Sequence, residues 1–157
     1  MAGRRSNLKL AFLDSSVLFS AVNSPTGGSA KLFTIKRLKL CTSTLVLTET
    51  ERNIRKKLEF YHLERFFILV EKLTIISAIP TKKQISQAEK IIVLKDAAIL
   101  FSAKSSKSDF IFTLDQKHFL TTEVAKFTHP IKVLTPKMFF QKSQPHKASP
   151  FEAKICK

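Results

Sequence analysis

The stretch Leu8-Lys9-Leu10-Ala11-Phe12-Leu13-Asp14 is a short apolar run that ends in a carboxylate. A run of this length, followed by two serines, predicts a buried β-strand rather than a helix. The pattern returns late in the chain, where Phe110-Ile111-Phe112-Thr113 is followed by Leu114-Asp115. The sequence therefore predicts two strands that each carry an aspartate just beyond the carboxyl end.

The remaining apolar segments alternate between strand and helix patterns along the chain. Further strands are predicted at residues 38–41, 74–79 and 131–134, and helices at 30–36, 45–59, 63–72, 81–90 and 117–126, with one more beginning at Asp96. Short strands that are apolar on both faces and alternate with helices are typical of parallel sheets. We expect an α/β fold, a three-layer sandwich in which helices flank a mainly parallel central sheet.

The length and composition fit a single domain. The chain has 157 residues, of which 44% are hydrophobic, and this is enough to build a core without disulfides or a structural metal. From Gln141 onward, Ser, Pro and Lys residues are mixed and no periodicity remains. We expect residues 1–140 to form the domain and residues 141–157 to be a basic, disordered C-terminal tail.

The chain is strongly basic. It has 27 Lys and Arg residues against 12 acidic residues, a net charge of +15 and a pI near 10.1. Such a surface attracts polyanions, so a nucleic acid is the expected partner. Lysine also serves simply to solubilise a protein, and the charge alone therefore leaves both interpretations open.

The cysteines and the apolar segments indicate a cytoplasmic protein that does not enter a membrane. Cys41 and Cys156 are far apart in sequence and show no metal-ligand spacing, so we expect reduced thiols. Asp14 interrupts the first apolar stretch, which argues against a signal peptide. The apolar segment 66–79 contains charged residues and is too short to span a bilayer.

The chain contains only four aspartates, Asp14, Asp96, Asp109 and Asp115, and none lies in the middle of a predicted element. Ligands of parallel α/β sheets bind beyond the carboxyl ends of the strands, where Asp14 and Asp115 are predicted to lie. Carboxylates held close together repel one another, and a bound cation commonly neutralises them. Hard carboxylate oxygens favour Mg²⁺ or Mn²⁺, whereas no His or Cys set indicates Zn²⁺.

Several of these acids also have ordinary structural interpretations. Asp96 could simply cap a helix, and Asp109, just before a predicted strand, could be a turn residue. Either Glu49 or Glu51 could be a further acid of the predicted cation site. Glu51 is four residues before Arg55, the spacing of a surface ion pair, whereas Glu49 can lean along the helical face that enters the core. Helical periodicity separates the two glutamates only weakly.

Several segments together resemble one known family. They are Phe12-Leu13-Asp14-Ser15-Ser16-Val17-Leu18, Ser43 with Glu49 six residues later, Asp96-Ala97, and Phe112-Thr113-Leu114-Asp115 followed by Phe119. Their order and spacing are similar to those of PIN domains, in particular the bacterial and archaeal kind found as toxins of toxin–antitoxin pairs. The resemblance covers roughly residues 8–140.

The resemblance implies a metal-dependent ribonuclease. Four acids are implied to form a pocket that holds one or two Mg²⁺ or Mn²⁺ ions: Asp14, Glu49, Asp96 and Asp115. Glu49 is favoured over Glu51 because of the interval from Ser43, and Asp109 matches a reserve ligand. Thr113 matches a small hydroxyl residue that orients water at the site. Ser16 stands where many members carry Asn, and its hydroxyl is expected to support the metal site.

The resemblance also implies a substrate and partners. These are RNA, cleaved to leave a 5′-phosphate and a 3′-hydroxyl, and a small antitoxin that covers the pocket; a homodimer is a further assembly to consider. One alternative is a catalytically inactive PIN-like domain that binds RNA or protein and needs the lysines but not the acids. Another is a receiver-like domain with a phosphorylated aspartate. The receiver hypothesis is weaker, because no adjacent acidic pair follows the first predicted strand.

Overall fold

The computed structural model describes residues 7–77 and 79–143, which contain one sheet of five strands. In chain order the strands are β1 Lys9–Leu13, β2 Leu38–Ser43, β3 Thr74–Ile76, β4 Phe110–Phe112 and β5 Lys132–Leu134. They lie in the order β3-β2-β1-β4-β5, so β1 is central. Every pair of neighbouring strands is parallel, which confirms the predicted α/β class.

Nine α-helices connect or follow the strands within the described ranges. They are α1 Ser15–Asn23, α2 Gly28–Lys31, α3 Thr44–Lys57, α4 Tyr61–Val70, α5 Lys82–Glu89, α6 Leu94–Ser105, α7 Gln116–Phe119, α8 Thr122–Thr128 and α9 Pro136–Ser143. A 3-10 turn at Leu32–Thr34 follows α2 directly. In this part of the chain, no helix combines the length and the apolar character needed to cross a membrane.

The central strand β1 is covered on both faces. Ala11, Phe12 and Leu13 are all fully buried, although successive side chains of a strand point to opposite faces. In the sheet register, Ala11 lies between Leu40 of β2 and Phe110 of β4. Helices therefore pack on both sides of the sheet, as the predicted three-layer sandwich requires.

Helix α1 is absent from the sequence-based prediction, which leaves residues 17–19 as an apolar continuation of the strand. The buried residues of α1 recur at helical spacing and form one apolar face: Val17, Leu18, Ala21 and Val22. Asp14 occupies the N-cap position with an extended backbone, at φ −74° and ψ 160°. The helix therefore begins directly after β1, and Asp14 lies at the junction of the two elements.

Two other predicted helices are interrupted in the structure, whereas those predicted at 45–59, 63–72 and 81–90 differ by only one or two residues at each end. The helix predicted at 30–36 is replaced by α2 and the 3-10 turn. The helix predicted at 117–126 is divided into α7 and α8, because Leu120 leaves helical geometry, with φ −90° and ψ 57°. Thr121 then caps α8, since its hydroxyl accepts a hydrogen bond from the Val124 N–H at 3.1 Å.

Helix α9 follows β5 and continues to Ser143. The expected domain boundary at residue 140 falls inside this helix, so residues 141–143 are helical. The remainder of the predicted tail lies outside the described residues.

Candidate metal centre

Asp14 lies at the carboxyl end of the central strand, where its backbone joins β1 to β4. Its N–H donates to the carbonyl of Phe112 at 3.0 Å, and the residue is only 3% exposed. The carboxylate accepts hydrogen bonds from the Ser16 hydroxyl at 2.8 Å and from the Thr113 hydroxyl at 3.0 Å. Two short hydroxyl side chains therefore bind a buried carboxylate that would be costly to leave without partners.

Ser16 and Thr113 also tie the loop after β1 to the loop after β4. The Ser16 hydroxyl accepts a hydrogen bond from the Leu114 N–H, and the Thr113 hydroxyl accepts one from the Asp115 N–H, both at 3.0 Å. Each hydroxyl accepts a hydrogen bond from the loop after β4 and donates its single O–H to the Asp14 carboxylate. These two side chains therefore fix the loop that carries Asp115 relative to Asp14.

Asp96, Asp115 and His118 bring donor atoms together from two elements. One possible ligand atom from each side chain lies within 4.8 Å of the other two. Asp96 lies in the first turn of α6 and is 9% exposed. Asp115 is the N-cap of α7, and His118 belongs to that helix. Helices that are separate in sequence thus deliver ligand-type side chains to one point beyond the sheet.

The four predicted acids are close enough to influence one another. Burial raises the pKa of Asp96, and the charges of Asp14, Glu49 and Asp115 raise it further, to about 6. Burial likewise raises the pKa of Asp14, against the lowering effect of the hydroxyl groups that bind it. The structure therefore places Asp14, Glu49 and Asp115 near Asp96 as one acidic cluster. Among the described residues, the group whose ligand atoms all lie within 4.8 Å of one another contains Asp96 and Asp115 of this cluster but not Asp14 or Glu49.

Asp115 has a different electrostatic environment. Burial alone would raise its pKa, but hydrogen bonds from the backbone N–H and the ring of His118 outweigh burial, so the pKa is lowered. The His118 N–H donates to Asp115 Oδ1 at 3.0 Å, and the ring Nδ1 lies 2.9 Å from Oδ2. The cluster therefore contains carboxylates of unequal basicity, with Asp115 more readily ionised than Asp96.

Glu49 and Glu51 have different surroundings. Glu49 is close enough to Asp96 to raise its pKa, and Lys95 Nζ lies 3.9 Å from Glu49 Oε1. Glu51 instead forms the ion pair anticipated from its spacing, with Arg55 at 3.0 Å. Glu49 rather than Glu51 therefore belongs to the acidic cluster.

The structure does not bring Asp109 into the acidic cluster. This residue precedes β4, whereas the acids of the cluster follow strand ends or begin helices near them. The Leu10 N–H donates to Asp109 Oδ2 at 2.9 Å, the Asp109 N–H donates to the Leu10 carbonyl at 2.8 Å, and Lys9 Nζ lies 4.0 Å from Oδ1. Asp109 therefore fixes the start of β4 against β1. Its position at this end of the strand does not support the expectation that it is a reserve metal ligand.

His118 is a member of the cluster that the sequence analysis did not identify. The available signal was its position three residues after Asp115, in the first turn beyond a strand-end acid. Side chains at that spacing lie on the same face of a helix. A single histidine among carboxylates does not form the set of His and Cys ligands typical of Zn²⁺, so it was not recognised as part of a metal site.

The side chains of the cluster fit a divalent cation such as Mg²⁺ or Mn²⁺. Within residues 7–77 and 79–143, neither Asp14 nor Asp96 forms an ion pair with Lys or Arg. Lys95, which pairs with Glu49, has a side chain that is 78% exposed. Carboxylate oxygens are the ligands that these hard cations prefer. A bound cation would relieve a repulsion that the side chains of the cluster leave largely uncompensated.

Comparison with known proteins identifies the family. A family model of the PIN domain matches residues 11–124, a range that includes all four acids of the cluster. This chain belongs to the PIN domain family. The match argues against the receiver-like hypothesis. No curated protein sequence matches the chain.

Solved structures share the PIN fold at low sequence identity. A chain of VapBC2 from Rickettsia felis, solved with a DNA fragment from the promoter, is 17% identical with a TM-score of 0.63, and the match covers 80% of this chain and 98% of that one. PAE2754 from Pyrobaculum aerophilum is 13% identical with a TM-score of 0.60, covering 87% and 95%. A toxin–antitoxin complex from Klebsiella pneumoniae is 17% identical with a TM-score of 0.57, covering 80% and 97%. These similarities establish the fold.

The acidic cluster predicts that the cation-free protein becomes more stable as the pH falls. The pKa of Asp96 in the folded chain is about 6, above its ordinary value of 3.8. The folded chain therefore binds more protons than the unfolded chain between these values, and protonation stabilises it. We expect the free energy of unfolding in EDTA to rise by about 1 kcal/mol from about pH 7.5 to about pH 5.5.

Urea denaturation at a series of pH values measures this effect. The Asp96→Asn variant should lose most of the pH dependence, whereas Asp109→Asn, outside the cluster, should retain it. An Asp96→Asn variant with the wild-type pH dependence would contradict the electrostatic description of the cluster.

Proposed function

We propose that this PIN domain protein is a divalent-metal-dependent endoribonuclease. The observation that supports it most directly is the convergence of Asp14, Glu49 and Asp115 around Asp96, whose pKa they raise. Holding like charges together costs stability, and a bound cation accounts for their presence. The position of the cluster, beyond the carboxyl ends of β1 and β4, is where parallel α/β sheets bind their ligands.

A bound Mg²⁺ or Mn²⁺ ion supplies polarisation of the scissile phosphate, a more acidic water molecule and stabilisation of the leaving oxygen. The carboxylates of Asp96 and Asp115 would hold such an ion, and those of Asp14 and Glu49 would complete a site for one or two ions. Ser16 and Thr113 keep the Asp14 carboxylate in place. The backbone N–H of His118 restricts rotation of the Asp115 carboxylate. Hydrolysis of RNA at this site leaves a 5′-phosphate and a 3′-hydroxyl.

The surroundings of the cluster favour a polyanionic substrate. His118 lines a cavity of about 340 Å³, whose charged lining residues are Lys90, Lys117 and a single acid, Glu89. Ammonium groups beside an acidic centre attract flanking phosphates that the carboxylates would repel. We propose that single-stranded RNA passes through this cavity on its way to the cluster.

Incubation of the purified chain with a labelled single-stranded RNA tests the proposed function. We expect cleavage in the presence of Mg²⁺ or Mn²⁺, products with 5′-phosphate ends, and no cleavage in EDTA. A wild-type chain that binds RNA but does not cleave it with either metal would refute the enzyme and support the catalytically inactive alternative.

RNA binding should weaken steeply as salt is added. Contact with about four phosphates of a single strand gives a slope near −3 in a plot of log K against log salt concentration. Fluorescence anisotropy with the Asp14→Asn variant, which leaves the RNA intact, measures the slope. Replacing both Lys90 and Lys117 with Gln should make the slope shallower by about 1.4. A slope near zero would contradict the phosphate contacts.

We further propose that the chain is the toxin of a toxin–antitoxin pair. The fold that it shares with the Klebsiella pneumoniae complex supports this role, and the acidic cluster offers a place for a basic side chain of an antitoxin. Co-expression with the product of a short neighbouring reading frame tests the proposal. We expect the two chains to purify together and RNA cleavage to be suppressed. A homodimer remains a prediction, which analytical ultracentrifugation tests.

A further inference from the structure

We propose that His118 is a nitrogen ligand of the divalent cation, which it binds through Nδ1 beside the carboxylates of Asp96 and Asp115. The inference rests on the proposed function, because it concerns the cation held by the same cluster. It makes the centre a mixed oxygen and nitrogen site rather than one built from carboxylates alone.

The spacing of the three side chains suits a shared cation. Ligand atoms of Asp96, Asp115 and His118 lie within 4.8 Å of one another, whereas opposite ligands of one octahedral ion are about 4.2 Å apart, so a small closing movement of these side chains brings all three atoms onto one ion. His118 Nδ1 and Asp115 Oδ2 are 2.9 Å apart. Adjacent ligands of an octahedral cation, each about 2.1 Å from the ion, are separated by about 3.0 Å. The two atoms are therefore already placed as neighbouring ligands.

In the cation-free chain the 2.9 Å distance is a hydrogen bond between the ring and Asp115, and two observations favour its replacement by ligation when a cation binds. The backbone N–H of His118 already binds Asp115 Oδ1 at 3.0 Å, so the carboxylate has an orienting donor without the ring. A hydrogen bond from the ring to Asp115 also does not involve the Asp96 carboxylate, although Asp96 lies within the same 4.8 Å group. A shared cation satisfies all three side chains at once.

Ligation requires one tautomer of the neutral ring. Nδ1 must present its lone pair to the cation, so the ring that donates from Nδ1 to Asp115 in the cation-free chain has to carry its proton on Nε2 once the cation binds. The His118 side chain is 36% exposed, so Nε2–H can be solvated by water. An imidazole ligand also favours Mn²⁺ and later transition ions over Mg²⁺, which prefers oxygen. The centre is therefore expected to select Mn²⁺ over Mg²⁺.

Pulsed electron paramagnetic resonance of the untagged full chain loaded with Mn²⁺ tests the proposal directly. Electron spin echo modulation detects an imidazole nitrogen bound to Mn²⁺. We expect this modulation in the wild-type chain and in His129→Gln, a histidine outside the cluster, and its loss in His118→Gln. A wild-type spectrum without nitrogen modulation, or the same modulation in His118→Gln, would overturn the assignment.

Calorimetric titration with Mn²⁺ and Mg²⁺ gives a second measurement. His118→Gln should weaken Mn²⁺ binding by about tenfold or more, with a smaller effect on Mg²⁺. An equal effect on the two ions would count against nitrogen ligation.

The outcomes separate this inference from the proposed function. Mn²⁺ bound by oxygen alone, together with intact RNA cleavage, would overturn the role of His118 and leave the nuclease standing. Failure of the wild-type chain to bind either ion or to cleave RNA would overturn both.

Discussion

The Asp14→Asn variant should cleave RNA about a thousandfold more slowly than the wild-type chain, because it removes a charge that we propose binds a cation, and that cation would carry several kcal/mol of the rate acceleration. The same variant should melt at a higher temperature without metal. Burial raises the pKa of Asp14, so its ionised form destabilises the folded chain at neutral pH, whereas an amide carries no charge. The amide oxygen can still accept hydrogen bonds from Ser16 and Thr113. Single-turnover cleavage and thermal unfolding in EDTA measure the two effects.

Asp109→Asn is the matched control for Asp14→Asn. It makes the same chemical change at the opposite end of β4, where the amide oxygen can still accept the hydrogen bond from the Leu10 N–H. We expect cleavage within about twofold of the wild-type rate, as for most substitutions away from a site. Equal loss of cleavage in both variants, or normal cleavage by Asp14→Asn, would refute the metal centre.

The Glu49→Gln variant should show the second largest loss, about a hundredfold in cleavage rate, because it removes one of the four charges that we propose hold the cation. The effect should be smaller than at Asp14, since the Glu49 side chain is 20% exposed and water can replace part of its contribution. More Mn²⁺ should also be needed for half-maximal activity. Cleavage rates across a Mn²⁺ titration measure both quantities.

Glu51→Gln is the control for Glu49→Gln on the same helix. Its side chain pairs with Arg55 at the surface, and such a pair contributes at most about 1 kcal/mol to stability. We expect its cleavage rate and Mn²⁺ requirement to remain within about twofold of the wild-type values. A reversed result, with Glu51→Gln the more damaged variant, would show that the cluster has been assigned the wrong glutamate.

The sheet and two of the acids could be predicted from local sequence. Residues 8–13 and 110–113 have the length and the two-faced hydrophobicity of parallel strands. Because the carboxyl ends of parallel strands meet at one edge of the sheet, Asp14 and Asp115 follow from the strand prediction. Glu49 and Asp96 lie on helices, where periodicity could not show which edge they approach. The family resemblance was needed to place them.

Other features depended on information that local patterns do not carry. Helix α1 was missed because a short apolar run after a strand matches both a strand and a helix pattern. Asp109 was favoured as a turn residue by its position before a strand, and only the resemblance kept it as a ligand. His118 depends on the direction of one side chain on a four-residue helix, which sequence spacing alone does not fix.

The outer strands of the sheet, β3 and β5, are each three residues long. β5 also carries an exposed charge at Lys132. Short outer strands offer few free backbone groups for another molecule to pair with, and the charge on β5 discourages pairing further. Growth of a continuous intermolecular sheet, the usual route to fibrous aggregates, is thereby disfavoured.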